Sequence, residues 1–122
     1  MNNEIAILIV DDVELIRDSM KQILNELGYF NVFYASNEIT AHEVYRNKKI
    51  HFVFMDINLG ESSGLEVIVE LKKYDSNLYA VILSGESNIQ NVRKSISLGA
   101  KGFIVKPFTR AKIKEVMQAY EK

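Results

Sequence analysis

The sequence predicts a three-layer α/β domain built on a parallel sheet. Five short apolar runs do not alternate with polar residues, and segments of helical spacing lie between them. Glycine or a small polar residue stands at several of the junctions. A strand that is apolar at every position is buried on both faces, the habit of parallel sheets covered by helices on two sides. Alternating strands and helices connect by right-handed crossovers, which place helices on both faces of the sheet.

The five runs are Ile5–Val10, Val32–Ala35, Phe52–Met55, Tyr79–Leu83 and Phe103–Val105. After the first, Val13, Ile16, Met20, Ile23 and Leu27 recur at threes and fours, one apolar stripe of a helix. Ile89, Val92 and Ile96 repeat the pattern, as do Ile113, Val116 and Tyr120; Leu65, Ile68 and Leu71 fit it over a shorter span. Gly28 and Gly99 fall where two helices should stop. Ser63 and Glu66 have the spacing of a capping box that opens the helix carrying Leu65.

With 122 residues, 48% of them hydrophobic and 25% charged, the chain reads as one soluble domain spanning 1–122. The longest apolar run, Ile5 to Val10, is too short for a membrane span or a signal-peptide core, so membrane insertion is not expected and a cytoplasmic location is. The absence of cysteine excludes disulfides, a thiol nucleophile and thiolate metal sites. A net charge of −1, with both signs mixed along the chain, argues against direct nucleic-acid binding through bulk phosphate neutralisation.

In sheets of this kind the site lies outside the carboxyl ends of the strands. The first run ends on Asp11 and Asp12, the third on Asp56, the fourth on Ser84 and the fifth on Lys106. Any one of these has an ordinary explanation: an aspartate after a strand usually caps or turns the chain, and Asp11-Asp12 would suit the start of the next helix. Four strands ending together on such residues is a different matter. Three carboxylates at one edge repel one another, so a proton or a cation must intervene. An all-oxygen site suits Mg²⁺, which keeps several waters and leaves room for phosphate oxygens. A carboxylate can also be the nucleophile toward a phosphoryl group, with Lys106 neutralising its oxygens and Ser84 donating a hydrogen bond.

These motifs, from "ILIVDD" through "HFVFMDINL" and "VILSG" to "LGAKGFIVKPF", resemble the receiver domains of bacterial two-component response regulators over essentially the whole chain. The resemblance implies a flavodoxin-like doubly wound (βα)5 fold with five parallel strands in the order 2-1-3-4-5. It implies that Asp56 is the phospho-acceptor for a phosphoryl group from a histidine kinase or histidine phosphotransfer protein. Asp11, Asp12 and Asp56, with the backbone carbonyl of Asn58, would hold Mg²⁺. Lys106 would bind the phosphoryl group, and the bond to Pro107 is expected to be cis. Ser84 and Phe103 would form the switch pair that alters a partner-binding face over residues 87 to 121.

The chain also departs from the family pattern. Gly60 stands where proline is common, Ser62 and Ser63 replace methionine and aspartate, and Phe103 replaces the commoner tyrosine. A more flexible loop after Asp56 is the expected consequence. Asn58 and Glu86 occupy the two positions that tune phosphoryl lifetime, and their polar-acidic pairing implies fast turnover. His42 and His51 show no metal-like spacing and are assigned ordinary surface or core roles. With a single helix after Lys106-Pro107-Phe108, no output domain is expected, and output passes through a separate downstream protein. The alternative is a Mg²⁺-dependent aspartate-nucleophile phosphohydrolase. Enzymes of that kind typically place their nucleophile and acid two residues apart after the first strand, whereas Asp11 and Asp12 are adjacent.

Overall fold

The computed structural model describes residues 4–85 and 89–122. Its main sheet contains β1 (Ile7–Val10), β2 (Val32–Ala35), β3 (Phe52–Asp56), β6 (Tyr79–Ser84) and β7 (Gly102–Val105). A hairpin, β4 (Asn58–Leu59) and β5 (Ser62–Ser63), is inserted after β3. The helices are α1 (Glu14–Glu26), α2 (Glu38–Asn47), α3 (Gly64–Tyr74), α4 (Ile89–Ser97) and α5 (Arg110–Glu121). All neighbours in the main sheet are parallel, in the order β2-β1-β3-β6-β7. Without the hairpin, this is the expected 2-1-3-4-5 order of a flavodoxin-like (βα)5 fold.

Side-chain alternation divides the core into two halves. Leu8 and Val10 of β1 point into a cluster with Val53, Met55, Ala41, Leu65, Ile68 and Leu71, under α2 and α3. Ile7 and Ile9 point the other way, onto Phe52, Phe54, Met20, Leu24, Ile113 and Met117, under α1 and α5. β1 and β3 are buried at every position because each face has its own helical layer. The uninterrupted apolar runs of the sequence have this physical origin.

The strand limits differ from the sequence reading in instructive ways. β1 begins at Ile7 rather than Ile5, because the backbone of Ala6 is already engaged outside the ladder. Its N–H donates to Nδ1 of His51 at 3.0 Å, and its carbonyl accepts from His51 and Phe52. β3 and β6 each run one residue further than the apolar pattern, to Asp56 and Ser84, since Asp56 pairs with Leu83 and Ser84 with Val105. β7 begins one residue earlier, at Gly102, which pairs with Val81.

Gly28 and Gly99 follow α1 and α4 with φ of 97° and 109°, the left-handed conformation that glycine adopts without penalty. Ser63 caps α3 by accepting the N–H of Leu65. The reciprocal bond from Glu66 is not formed among the described residues. A complete capping box occurs instead in α2, between Asn37 and Thr40. The loop after Asp56 is a two-residue hairpin turn. Gly60 has φ of 63° at its first position and Glu61 has no positive φ at the second, the pattern of a type II′ turn.

Candidate functional site

The register of the sheet builds the site. Val10 pairs with Met55, so the residues after them, Asp11 and Asp56, emerge side by side at the carboxyl edge. Backbone bonds hold the chain as it leaves the strands: Asp11 N–H donates to Ala35 O, Ile57 N–H to Leu83 O, and Lys106 N–H to Ser84 O. The Lys106–Pro107 peptide is cis. Each polar residue is thus fixed by backbone pairing before its side chain makes any contact.

Asp11 is fully buried and Asp56 nearly so at 5% exposure, while Asp12 faces solvent. One carboxylate oxygen from each of the three lies within 4.8 Å of the others. Lys106 Nζ donates to Asp11 Oδ2 at 2.8 Å and stands 3.4 Å from Asp56 Oδ2. Asp11 Oδ1 accepts the N–H of Val13, which orders the entry to α1, and the carbonyl of Asp11 accepts from Arg17 Nη1 at 2.6 Å. Asp56 Oδ1 accepts the N–H of Asn58 at 3.3 Å. The donor set is all oxygen, half-open through Asp12, and fits a hard divalent cation that retains water.

Burial and the neighbouring Asp11 carboxylate push the Asp56 pKa up; Lys106 and the Asn58 N–H only partly offset them. Burial works against the charge on Lys106, yet its contacts with Asp11 and Asp56 raise its pKa overall. An aspartate whose folded-state pKa is raised favours folding below its unfolded value, near 3.9, and loses that contribution as pH rises through the folded value. At neutral pH the ionised Asp56 therefore opposes folding. Asp56→Asn is expected to stabilise the metal-free protein by about 1 kcal/mol at pH 7, the usual scale for relieving strain at a functional site. Urea denaturation at pH 7 and pH 4 measures this, and the gain should shrink at the lower pH.

Ser84 is buried at the end of β6 and borders a polar cavity of about 290 Å³. Asn58, Ser63, Asn91 and Lys94 also line that cavity. Phe103 is half-buried against the core under α2 and α3. Glu86 falls outside the described residues. Sequence reasoning missed Gly64, the first residue of α3. A Cβ built there would lie 1.9 Å from the backbone oxygen of Asp56 and 2.9 Å from Met55 Cγ. Gly64 is thus a backbone contact of the end of β3. A glycine directly after the capping Ser63, where any helix former would serve, was the available signal. Asn91 and Lys94 were missed as well, since neither belongs to a strand end.

The parallel sheet thus gathers three carboxylates, a hydroxyl and an amine at one edge, a donor set that suits a hard cation. The chain belongs to the response regulator receiver domain family, whose model matches residues 7–118, and is thereby a signalling domain of two-component systems. It is 35% identical over 116 residues to the chemotaxis protein CheY of Thermotoga maritima, covering 95% of this chain and 97% of the relative. It is 29% identical over 120 residues to sporulation initiation phosphotransferase F of Bacillus subtilis, covering 98% and 95%. Among solved structures, a CheY-like receiver domain protein of Methanospirillum hungatei matches with a TM-score of 0.87 and 28% identity, covering 95% and 92%. No described helix is long and apolar enough to cross a membrane.

Proposed function

We propose that this receiver is a Mg²⁺-dependent phosphorylation switch with Asp56 as phospho-acceptor. The observation that carries the reading is the position of Asp56, nearly buried at the end of β3, 3.4 Å from Lys106 and beside Asp11 and Asp12. An Asp56 carboxylate oxygen attacks the phosphorus of a phosphohistidine on a histidine kinase or histidine phosphotransfer protein. The new P–O bond forms as the P–N bond breaks, and the departing imidazole takes up a proton. Asp11, Asp12, Asp56 and the carbonyl of Asn58 would hold Mg²⁺, which neutralises phosphoryl oxygens when bound. Lys106, already drawn toward both buried aspartates, pairs with a phosphoryl oxygen once Asp56 carries the acyl phosphate.

Ser84 donates its hydroxyl to the phosphoryl group, and Phe103 of the neighbouring strand follows. The change biases the face built by α4, β7 and α5 toward binding a separate downstream protein. Coverage of nearly the full length of CheY and of the sporulation phosphotransferase supports a receiver that hands its signal on rather than turning over an external substrate. Hydrolysis by water returns Asp56 to a carboxylate, and Asn58 and Glu86 set its rate. A short phosphoryl lifetime is expected, and a half-life of hours after removal of the donor would contradict that assignment.

Incubation with acetyl phosphate and Mg²⁺, followed by intact mass, tests the acceptor. Wild type should gain one phosphoryl group and Asp56→Ala none. An equal gain in the variant refutes the reading, and steady-state release of phosphate from unrelated monoesters would favour a phosphohydrolase.

A further inference from the structure

Glu38 and His42 stand four residues apart on α2, so both side chains leave the same helix face. Glu70 of α3 meets them across the contact between the two helices. His42 Nε2 lies 3.0 Å from Glu70 Oε1, and a carboxylate oxygen of Glu38 comes close to both. One donor atom from each of the three lies within 4.8 Å of the other two. All three residues are half-buried, which restrains the side chains while leaving access to solvent.

The donor chemistry differs in kind from that of the aspartates at the sheet edge. One imidazole nitrogen and two carboxylate oxygens, offered from two helices, form a three-ligand set with positions left open. Such nitrogen–oxygen sets select Zn²⁺ and related transition ions, whereas Mg²⁺ prefers oxygen alone. The surroundings also orient the ligands. Ser62 Oγ donates to Glu38 Oε2 at 2.9 Å, an outer-shell bond of the kind that fixes a ligating carboxylate. The ring of Tyr74 meets His42 edge-on at 6.1 Å and is itself backed by Tyr45. The Asn37–Thr40 capping box secures the first turn of α2, where Glu38 sits. Lys73 adds positive charge near Glu70, but two carboxylates with oxygens within 4.8 Å of each other still favour a cation held between them.

We propose that Glu38, His42 and Glu70 form a divalent transition-metal site of the Zn²⁺ class that bridges α2 and α3, separate from the aspartate cluster. Its ligand shell reaches β5 through Ser62, so an ion bound there also braces the hairpin that follows Asp56.

Calorimetric titration of the full chain with Zn²⁺, in excess Mg²⁺ to fill the aspartate cluster, tests the site, with visible absorption of Co²⁺ as a second probe. One ion per chain is expected. His42→Ala and Glu70→Gln should each weaken binding roughly tenfold or more, and Ser62→Ala about tenfold, the scale of an outer-shell loss. Asp12→Asn should leave binding unchanged. Circular dichroism in EDTA establishes which variants fold, and either ligand variant alone suffices for the decision. The proposal is overturned if wild type binds no Zn²⁺ under these conditions, if the folded ligand variants bind as wild type does, or if Asp12→Asn abolishes binding.

Discussion

Gly64→Ala is expected to destabilise the domain by about 3 kcal/mol, the upper range for forcing an extra carbon into a packed interior. The added Cβ would sit 1.9 Å from the Asp56 carbonyl oxygen, a separation no rotamer change can relieve because both partners are backbone. Either the first turn of α3 retreats or the end of β3 shifts. Retreat would strain the bond from Gly64 N–H to Ile57 O at 2.8 Å and the Ser63 cap. A shift of β3 moves Asp56 relative to Lys106. Displacement of a reacting group by about 1 Å can cost on the order of 100-fold in rate. Phosphorylation by acetyl phosphate should therefore fall together with the urea midpoint. Gly60→Ala is the matched control. Its Cβ would meet open space, so only the φ of 63° opposes it, at a cost of about 1 kcal/mol. Equal stability losses in the two variants would refute the steric argument.

Lys106→Met should have the other large effect. Asp11 is fully buried, and Lys106 is its charged partner at 2.8 Å. Removing one member of a buried pair leaves an uncompensated charge, with losses of about 3–5 kcal/mol. The methionine keeps the apolar stem, so the loss reports on charge rather than packing. Without Lys106, Asp56 keeps the neighbouring Asp11 carboxylate and loses the positive charge that partly offset it, so holding Asp56 ionised becomes harder. A carboxylate raised in this way favours the folded state at low pH and loses that contribution as pH rises. The defect in Lys106→Met should therefore be largest at neutral pH, shrink toward pH 4, and be partly repaired by Mg²⁺. Combining it with Asp56→Asn should recover part of the lost stability, because one of the repelling charges is gone. A pH-independent loss would point to packing instead. Denaturant titrations at three pH values, with and without Mg²⁺, separate the outcomes.

Much of this molecule could be read from local pattern. A strand buried on both faces must be apolar at every position, and Ile7–Val10 and Phe52–Met55 are. The strand errors were of one or two residues, and each arose where hydrogen bonding rather than hydrophobicity sets the limit, as at Ala6 and Ser84. The edge residues were legible for a related reason. A charged or hydroxyl residue ending an apolar run has nowhere to go but the rim of the sheet. The hairpin of Asn58–Ser63 was not read, because two-residue strands carry no periodicity. Nothing in the local spacing of His42 pointed beyond an ordinary role; the carboxylates beside it come from Glu38, one helical turn away, and Glu70, on another helix.

By itself, then, the sequence determined the layered fold, the direction of the strands and the set of side chains at their carboxyl ends. Burial and backbone period act on neighbouring residues and leave their mark along the chain. The tertiary structure decided which of those side chains touch. It placed Lys106 closer to Asp11 than to Asp56, left no space for a Cβ at Gly64, and brought Glu70 against His42. Those are contacts between segments far apart in the chain, where differences of a few tenths of an ångström follow from how the helices pack on the sheet, and no local pattern records them.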